Sequence, residues 1–352
     1  FDYKDFLINN NKIKIEKDIK LDFSDVLIRP KRSILGSRSD VDLERTIYFP
    51  ISKQKWTGVP IIAANMDTIG TYDVYKILSE YKIITALHKF HTVEDLKEMK
   101  LNKEYFMIST GISENDLDNL KNIINNIDVK FICVDVANGY MEQLVNFCAN
   151  LRELYPDKVI IAGNVVTREI TEELILSGKV DIVKIGIGPG AACTTRMKTG
   201  VGMPQLSAIS ECADASHGVN GYIIGDGGIT CPGDASKAFG AGADFIMIGG
   251  LFSGHYENPG EVIEENGEKY KLFYGMSSDT AMKKRYGKMA NYRSSEGRTI
   301  KIKLKGNIEN TVSDILGGIR STCTYINAKY IKNIPKCCTF VKVNRQLNTS
   351  ML

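Results

Sequence analysis

The stretch V159-I-I-A-G-N-V-V-T-R-E-I-T-E-E-L-I-L-S-G-K-V-D-I-V-K-I-G-I-G-P-G190 decides the fold. It opens on a short apolar run, Val159 to Ala162, and ends on a second, Ile182 to Ile187. Between them lies a segment with helical spacing, in which Thr167 is a possible cap, acids fill the first turn and Gly178 closes the helix. Runs that are apolar at nearly every position suit strands covered on both faces, the condition of a parallel sheet. One strand, one helix and one returning strand make a βαβ unit.

The unit repeats. Val59 to Ala64, Ile83 to Leu87, Phe106 to Ser109, Phe131 to Val136, Tyr222 to Ile224 and Phe245 to Ile248 bring the number of such runs to eight. E114-N-D-L-D-N-L-K-N-I-I-N-N-I127 and M141-E-Q-L-V-N-F-C-A-N-L-R-E-L154 read as helices between them. Eight strand-helix units in succession predict an α/β fold, a (β/α)8 TIM barrel over about 58–250, in a single domain spanning 1–352. The chain of 352 residues, 43% hydrophobic, is long enough for that one large domain. Beyond residue 250, E261-V-I-E-E-N-G-E-K-Y-K-L-F273 reads as a hairpin turning at Asn266-Gly267, and a closing helix is expected near Thr311 to Ala328. The remainder of this C-terminal extension reads as a long loop, or flap, over the barrel mouth.

A formal net charge of +3 gives no reason to expect nucleic-acid or membrane partners. Lys283 to Lys305 is a local exception, including Lys284, Arg285, Lys288, Arg293, Arg298, Lys301 and Lys303; a solvated face and a surface for a phosphate-rich ligand are both open for it. The eight cysteines show no zinc-type spacing, no signal peptide is recognised, and no apolar run approaches a membrane span. A reducing, cytoplasmic setting is expected, with only a faint peroxisome-like address in Ser350-Met351-Leu352.

Barrels of this kind carry their chemistry at the C-terminal strand ends. Here those ends gather N65-M-D67, H88-K89, D135-V-A-N-G139, G163-N164, G186-I-G-P-G190, D226-G-G228 and G249-G250. The pairs Gly227-Gly228 and Gly249-Gly250 follow the last two strands, where glycines let backbone N–H groups approach a phosphate. Asp226 could accept from two ribose hydroxyls, which would make the ligand a nucleotide. Cys133, Cys148 and Cys212 read as core cysteines. Cys193 instead stands on a polar loop at the catalytic face, three residues before Arg196, which suits a nucleophile. His88 and His91 lack a third metal ligand and read as solvent-facing or supporting residues.

The segments I185-G-I-G-P-G-A-A-C-T-T-R196, N65-M-D67, D226-G-G228 and G275-M-S277 resemble the IMP dehydrogenase and GMP reductase family of purine-nucleotide barrels. The likeness runs from L21-D-F-S-D-V-L-I-R-P-K-R-S33 onward and is nearer to the reductase branch. His88 is followed by an ordinary linker, where dehydrogenases usually carry an inserted regulatory domain. The interval from G275-M-S277 to R293-S-S-E-G297 is short, and D135-V-A-N-G-Y140 and I315-L-G-G-I-R-S-T-C-T324 are reductase-like.

The resemblance implies reduction of GMP by NADPH to IMP and ammonia, through a covalent thioimidate on Cys193, with Thr195 and Glu296 as a proton-relay pair. Asp226, Gly227, Gly228, Gly249, Gly250, Tyr274, Gly275, Met276, Ser277, Arg293, Ser294, Ser295 and Gly297 match substrate-binding segments. Lys89, Asp135, Val136, Ala137, Ile187, Gly188, Met276, Tyr292, Arg293, Ser321, Thr322, Cys323 and Thr324 match the cofactor side, and Ser37 and Arg38 would reach in from a neighbouring subunit. The carbonyls of Gly188, Gly190, Cys193 and Arg196 resemble ligands of a monovalent cation, potassium, and the family suggests a homotetramer. Ala191 departs from the pattern, standing where the family usually has a serine whose hydroxyl helps hold the phosphate. A dehydrogenase without its regulatory module, or a silent nucleotide-binding barrel, are the alternative readings; Cys193, Thr195 and Glu296 together speak against the silent one.

Overall fold

The structure, a computed structural model, describes residues 15–276, 278 and 297–344. Strands β1 (Val26–Ile28), β2 (Arg45–Phe49) and β3 (Gln54–Gly58) precede the barrel. Eight parallel strands then close on themselves in chain order: β4 (Ile61–Ala63), β5 (Ile84–Leu87), β6 (Phe106–Thr110), β7 (Phe131–Asp135), β8 (Val159–Val165), β9 (Ile182–Ile185), β10 (Tyr222–Asp226) and β11 (Phe245–Ile248), with β11 pairing back onto β4. Each falls on one of the eight apolar runs. Beyond them, β12 (Ile263–Glu265), β13 (Glu268–Tyr274) and β14 (Thr299–Lys303) form an antiparallel sheet, and β15 (Phe340–Lys342) pairs with β1.

Alternate side chains of the barrel strands feed two cores. Ile61, Ile132, Ile160, Val183, Ile223 and Ile246 point outward onto helical residues such as Leu78, Leu120, Leu144, Leu174 and Ile209. Ile62, Ile84, Phe131, Ile161, Ile182, Ile224 and Phe245 point inward, where Ile47, Phe49 and Trp56 join them from below. The β2–β3 hairpin therefore plugs the N-terminal end of the barrel. Trp56 is 1% exposed and donates its indole N–H to Glu104 O at 2.8 Å, so its polar edge is satisfied as its rings are buried.

Several sequence expectations shift. Thr167 occupies the cap position of the helix Arg168–Leu176, but its side chain makes no capping bond; its hydroxyl lies 3.2 Å from Tyr140 Oη instead. The hairpin turns at Asn266 and Gly267, both at positive φ (51° and 77°), as that dipeptide favours. The end of the basic segment is a strand and not loop: β14 pairs with β13, and its Lys301 and Lys303 form ion pairs with Glu265 and Glu268. A solvated face is the outcome for those two. The closing helix runs Ile308–Ile326, starting three residues earlier than expected, because the Glu257 carboxylate accepts the Ile308 N–H at 3.0 Å and satisfies the first turn.

Candidate active site

Period-two alternation carries the inner core up into the barrel mouth. Cys133, Ile182 and Ile224 fill the interior, so the residues two positions farther, Asp135, Lys184 and Asp226, line the cavity above it. Lys184 Nζ lies 2.7 Å from Asp135 Oδ1 and 3.0 Å from Asp226 Oδ2. Asn65 donates to Asp135 Oδ2 at 2.9 Å, and Asn164 donates to Asp226 Oδ2 at 2.8 Å. The Gln205 amide donates to Asp226 O at 3.1 Å and to Ile185 O at 2.9 Å, pinning the two strand ends together. Burial acts to lower Lys184, but the two carboxylates outweigh it and hold the ammonium above its ordinary value. Burial acts to raise Asp135, and the Lys184 charge with the Lys184 and Asn65 hydrogen bonds outweighs it, so the carboxyl stays below its usual range.

The loop after β9 wraps over this floor. Gly188, at φ 84°, lies against Arg196: a Cβ there would meet Arg196 Cγ at 2.5 Å. The Cys193 N–H donates to Gly190 O at 2.9 Å, and Cys193 forms a β-bridge with Gly297. Arg298 fastens the same loop from above, its backbone N–H donating to Ala192 O at 2.9 Å and its Nε to Ala191 O at 3.0 Å. Cys193 Sγ, partly exposed, is 3.2 Å from Thr195 Oγ1. The core cysteines differ: burial pushes Cys133 and Cys148 up to about 12 and Cys212 up to about 11, which keeps them as thiols.

One cavity of about 550 Å³ unites Asp135, Val136, Ala137, Ile187, Gly188, Gly190, Cys193, Thr195, Asp226, Gly227, Gly228, Gly249, Gly250, Gly275, Met276 and Gly297. Gly227 and Gly228 are at φ 88° and 79°, a conformation in which a side chain would be strained. Ala191 faces this corner; a Cβ on Gly250 would come within 3.6 Å of its methyl. Tyr274 is buried beside Gly275 at the end of β13 and does not line the cavity. Nor do Ser37, Arg38, Lys89, Arg196, Ser321, Thr322, Cys323 and Thr324. Arg196 turns away to Asp22 Oδ2 (3.3 Å) and Met203 O (2.6 Å), and Cys323 is fully buried. Ser277, Tyr292, Arg293, Ser294, Ser295 and Glu296 lie outside the described residues. His88 and His91 stack on one another, ring centroids 3.9 Å apart.

Reading the sequence missed Lys184, Gln205 and the roles of Asn65 and Asn164. Lys184 had a signal: it is the one charged residue in the run I182-V-K-I185, two positions from an inward-facing isoleucine.

Fold and site together define a (β/α)8-barrel protein with a cysteine-bearing loop across its C-terminal mouth. The chain belongs to the IMP dehydrogenase / GMP reductase domain family, which it matches over residues 20–349. It is 56% identical over 341 residues to "GMP reductase 1" of Rattus norvegicus, covering 96% of this chain and 99% of that protein. It is 56% identical over 338 residues to "GMP reductase 2" of Bos taurus, with 95% and 97% covered. It is also 56% identical over 342 residues to "GMP reductase" of Escherichia coli O139:H28 (strain E24377A / ETEC), with 96% and 98% covered. No helix among the described residues is long and apolar enough to cross a membrane.

Proposed function

We propose that the protein is an NADPH-dependent GMP reductase that works through a covalent bond between Cys193 Sγ and carbon 2 of the purine. The observation that carries this reading is Cys193 Sγ, 3.2 Å from Thr195 Oγ1, on the wall of a cavity that also holds both glycine pairs and Asp226. The reductase relatives support the same substrate. Carbon 2 of guanine is amidine-like. The Cys193 thiolate adds there, the exocyclic amine takes a proton and leaves as ammonia, and a thioimidate remains. Hydride addition at carbon 2 and expulsion of the thiolate release IMP. GMP, NADPH and two protons thus become IMP, NADP and ammonium. Thr195 passes the proton, with Glu296 as its source. Asp226 accepts from the ribose, and the glycine backbones hold the phosphate.

The wall formed by Asp135, Val136 and Ala137 suits a dinucleotide, since the Asp135 carboxylate is ionised, partly exposed and braced by Lys184 and Asn65. When bound, that cofactor supplies the hydride. The carbonyls of Gly188, Gly190, Cys193 and Arg196 suit a potassium ion: they are neutral oxygens with two lone pairs each, and Gly190 O and Arg196 O are tied into the loop by the Cys193 and Gly200 N–H groups. The ion would shape the loop and take no part in bond changes. Ser37 and Arg38 do not line their own chain's cavity, and in a homotetramer they would serve a neighbouring subunit.

The deciding experiment follows reduced-cofactor absorbance with GMP plus NADPH, and separately with IMP plus NAD. Consumption of NADPH with GMP, and a purine adduct on the quenched Cys193 peptide, are expected. Turnover only with IMP and NAD would make the protein a dehydrogenase, and an adduct on Cys231 or Cys323 would remove the mechanism.

A further inference from the structure

Lys184 is a lysine inside a barrel. Its side chain is 3% exposed, and no other described cation lies within ion-pair distance of Asp135 or Asp226. The neighbouring strand leaves room for it: a Cβ on Gly163 would stand 2.7 Å from Lys184 Cβ and 2.5 Å from Lys184 O. Asp135, Gly163 and Lys184 form one row across β7, β8 and β9. One ammonium between two acids leaves the trio with a net negative charge around a buried lysine. Such a group holds together only if each acid keeps a further donor. Each does, Asn65 for Asp135 and Asn164 for Asp226.

We propose that Lys184 is the positioning residue of the site, holding Asp226 and Asp135 in fixed orientation so that ligand hydroxyls arriving from either side meet fixed acceptors. Lys184 acts through the two acids and not on the reacting atoms. The proposal rests on the reading of Asp226 as the ribose acceptor. Without the ammonium, two neighbouring carboxylates repel, and one takes up a proton or turns away. A carboxylate that has turned or been protonated no longer distinguishes a ribose from a ring without hydroxyls.

The test compares binding of GMP and 2′,3′-dideoxy-GMP by calorimetry, in the wild type and in Lys184→Met, Lys184→Arg and Asp135→Asn/Lys184→Met. The wild type should prefer the ribonucleotide by about tenfold or more, the scale of hydrogen bonds to a charged acceptor. In Lys184→Met the preference should fall to about threefold or less, with dideoxy-GMP binding little changed, because its loss comes from Asp226 alone. Lys184→Arg keeps the charge in a different shape and should restore part of the preference. The double variant removes one acid with the lysine, so repulsion is relieved and folding is protected. Its preference should nonetheless stay low, since Asp226 has still lost its cation. A wild type with no preference overturns the ribose reading, and is seen before any variant is made. A wild-type preference in Lys184→Met, or in the double variant should Lys184→Met fail to fold, overturns the positioning role. So does an equal loss for both nucleotides.

Discussion

At the closed end of the barrel, Asp181 accepts from Ser52 N (3.0 Å), Ser52 Oγ (2.9 Å), Arg152 Nη2 (2.6 Å) and Ile160 N (2.9 Å). Arg152 spends its other donors on Lys179 O and Lys158 O. Asp244 accepts from Arg45, His217 and Ile223 N. Lys130 Nζ reaches Lys55 O at 2.6 Å and Glu104 at 2.7 Å. Lys130, Asp181 and Asp244 each immediately precede a barrel strand, and each grips the plugging hairpin, through Lys55, Ser52 and Arg45 respectively. At the open end the same barrel carries Asp135, Lys184 and Asp226, one layer above the inner core. There, among the described residues, Asp226 Oδ1 accepts from none and Asn164 Oδ1 is buried without a partner. Two clusters of similar composition thus differ in completion. Filling every acceptor fastens a structure, whereas leaving acceptors unfilled beside a cavity keeps them available to a ligand.

The comparison breaks if the open end turns out to govern stability or the closed end chemistry. The largest effect is expected from Cys193→Ala. It should lower turnover of GMP by about 10⁴-fold or more while leaving GMP binding within about threefold and the melting temperature unchanged, because a nucleophile has no neutral substitute. NADPH oxidation and calorimetry measure the two halves; an active alanine variant would place the chemistry elsewhere. Glu296→Gln should lose about 10²- to 10⁴-fold in GMP reduction, the range of general acid assistance, and retain most of the hydride step assayed in reverse from IMP and NADP. Equal losses in both directions would leave Glu296 a positioning role only. At the closed end, Asp181→Asn strands the Arg152 guanidinium and should cost about 3 to 5 kcal/mol in urea denaturation, with the activity of the folded fraction kept within about twofold. Activity lost without loss of stability would contradict the division between the two ends.

How legible these two ends were follows from what kind of signal each used. The eight barrel strands announced themselves, because burial on both faces demands unbroken apolar runs, and Cys193 stood out because a soft nucleophile in a glycine-rich turn has no packing reason to be there. The plugging hairpin went unread. R45-T-I-Y-F49 and Q54-K-W-T-G58 mix exposed and buried positions, and their apolar face is fixed only by the barrel end they enter. Lys184 was hidden inside an apolar run, and its meaning lies in two acids 49 and 42 residues away that only closure of the barrel brings near. The β14 segment reads as loop because charge at every second position looks like solvation until β13 supplies the partner strand.

Ala191 sharpens the account of the open end. Its methyl faces the glycine corner proposed for the phosphate, so Ala191→Ser would add a donor to a charged acceptor. GMP should then bind more tightly by about 1.5 to 3 kcal/mol, and guanosine should not. Weaker GMP binding with unchanged guanosine binding would show a loop rebuilt around alanine.

The smallest expected effect belongs to His217, at the edge of the closed end. Its Nε2 lies 2.8 Å from Asp244 Oδ2, and that hydrogen bond raises the imidazole above its ordinary value against the opposing cost of burial. A histidine raised on folding contributes stability that is fully present below its unfolded value, about 6.5, and is lost as pH climbs through the higher folded value. His217→Gln should therefore be less stable than the wild type at about pH 5.5, and the gap should narrow steadily toward about pH 8. The side chain is 45% exposed, so solvent screening limits the gap to about 1 kcal/mol or less. Denaturation of the two proteins across that range measures it. A gap that widens with rising pH would mean that His217 is held neutral in the fold, donating to Asp244 without its charge.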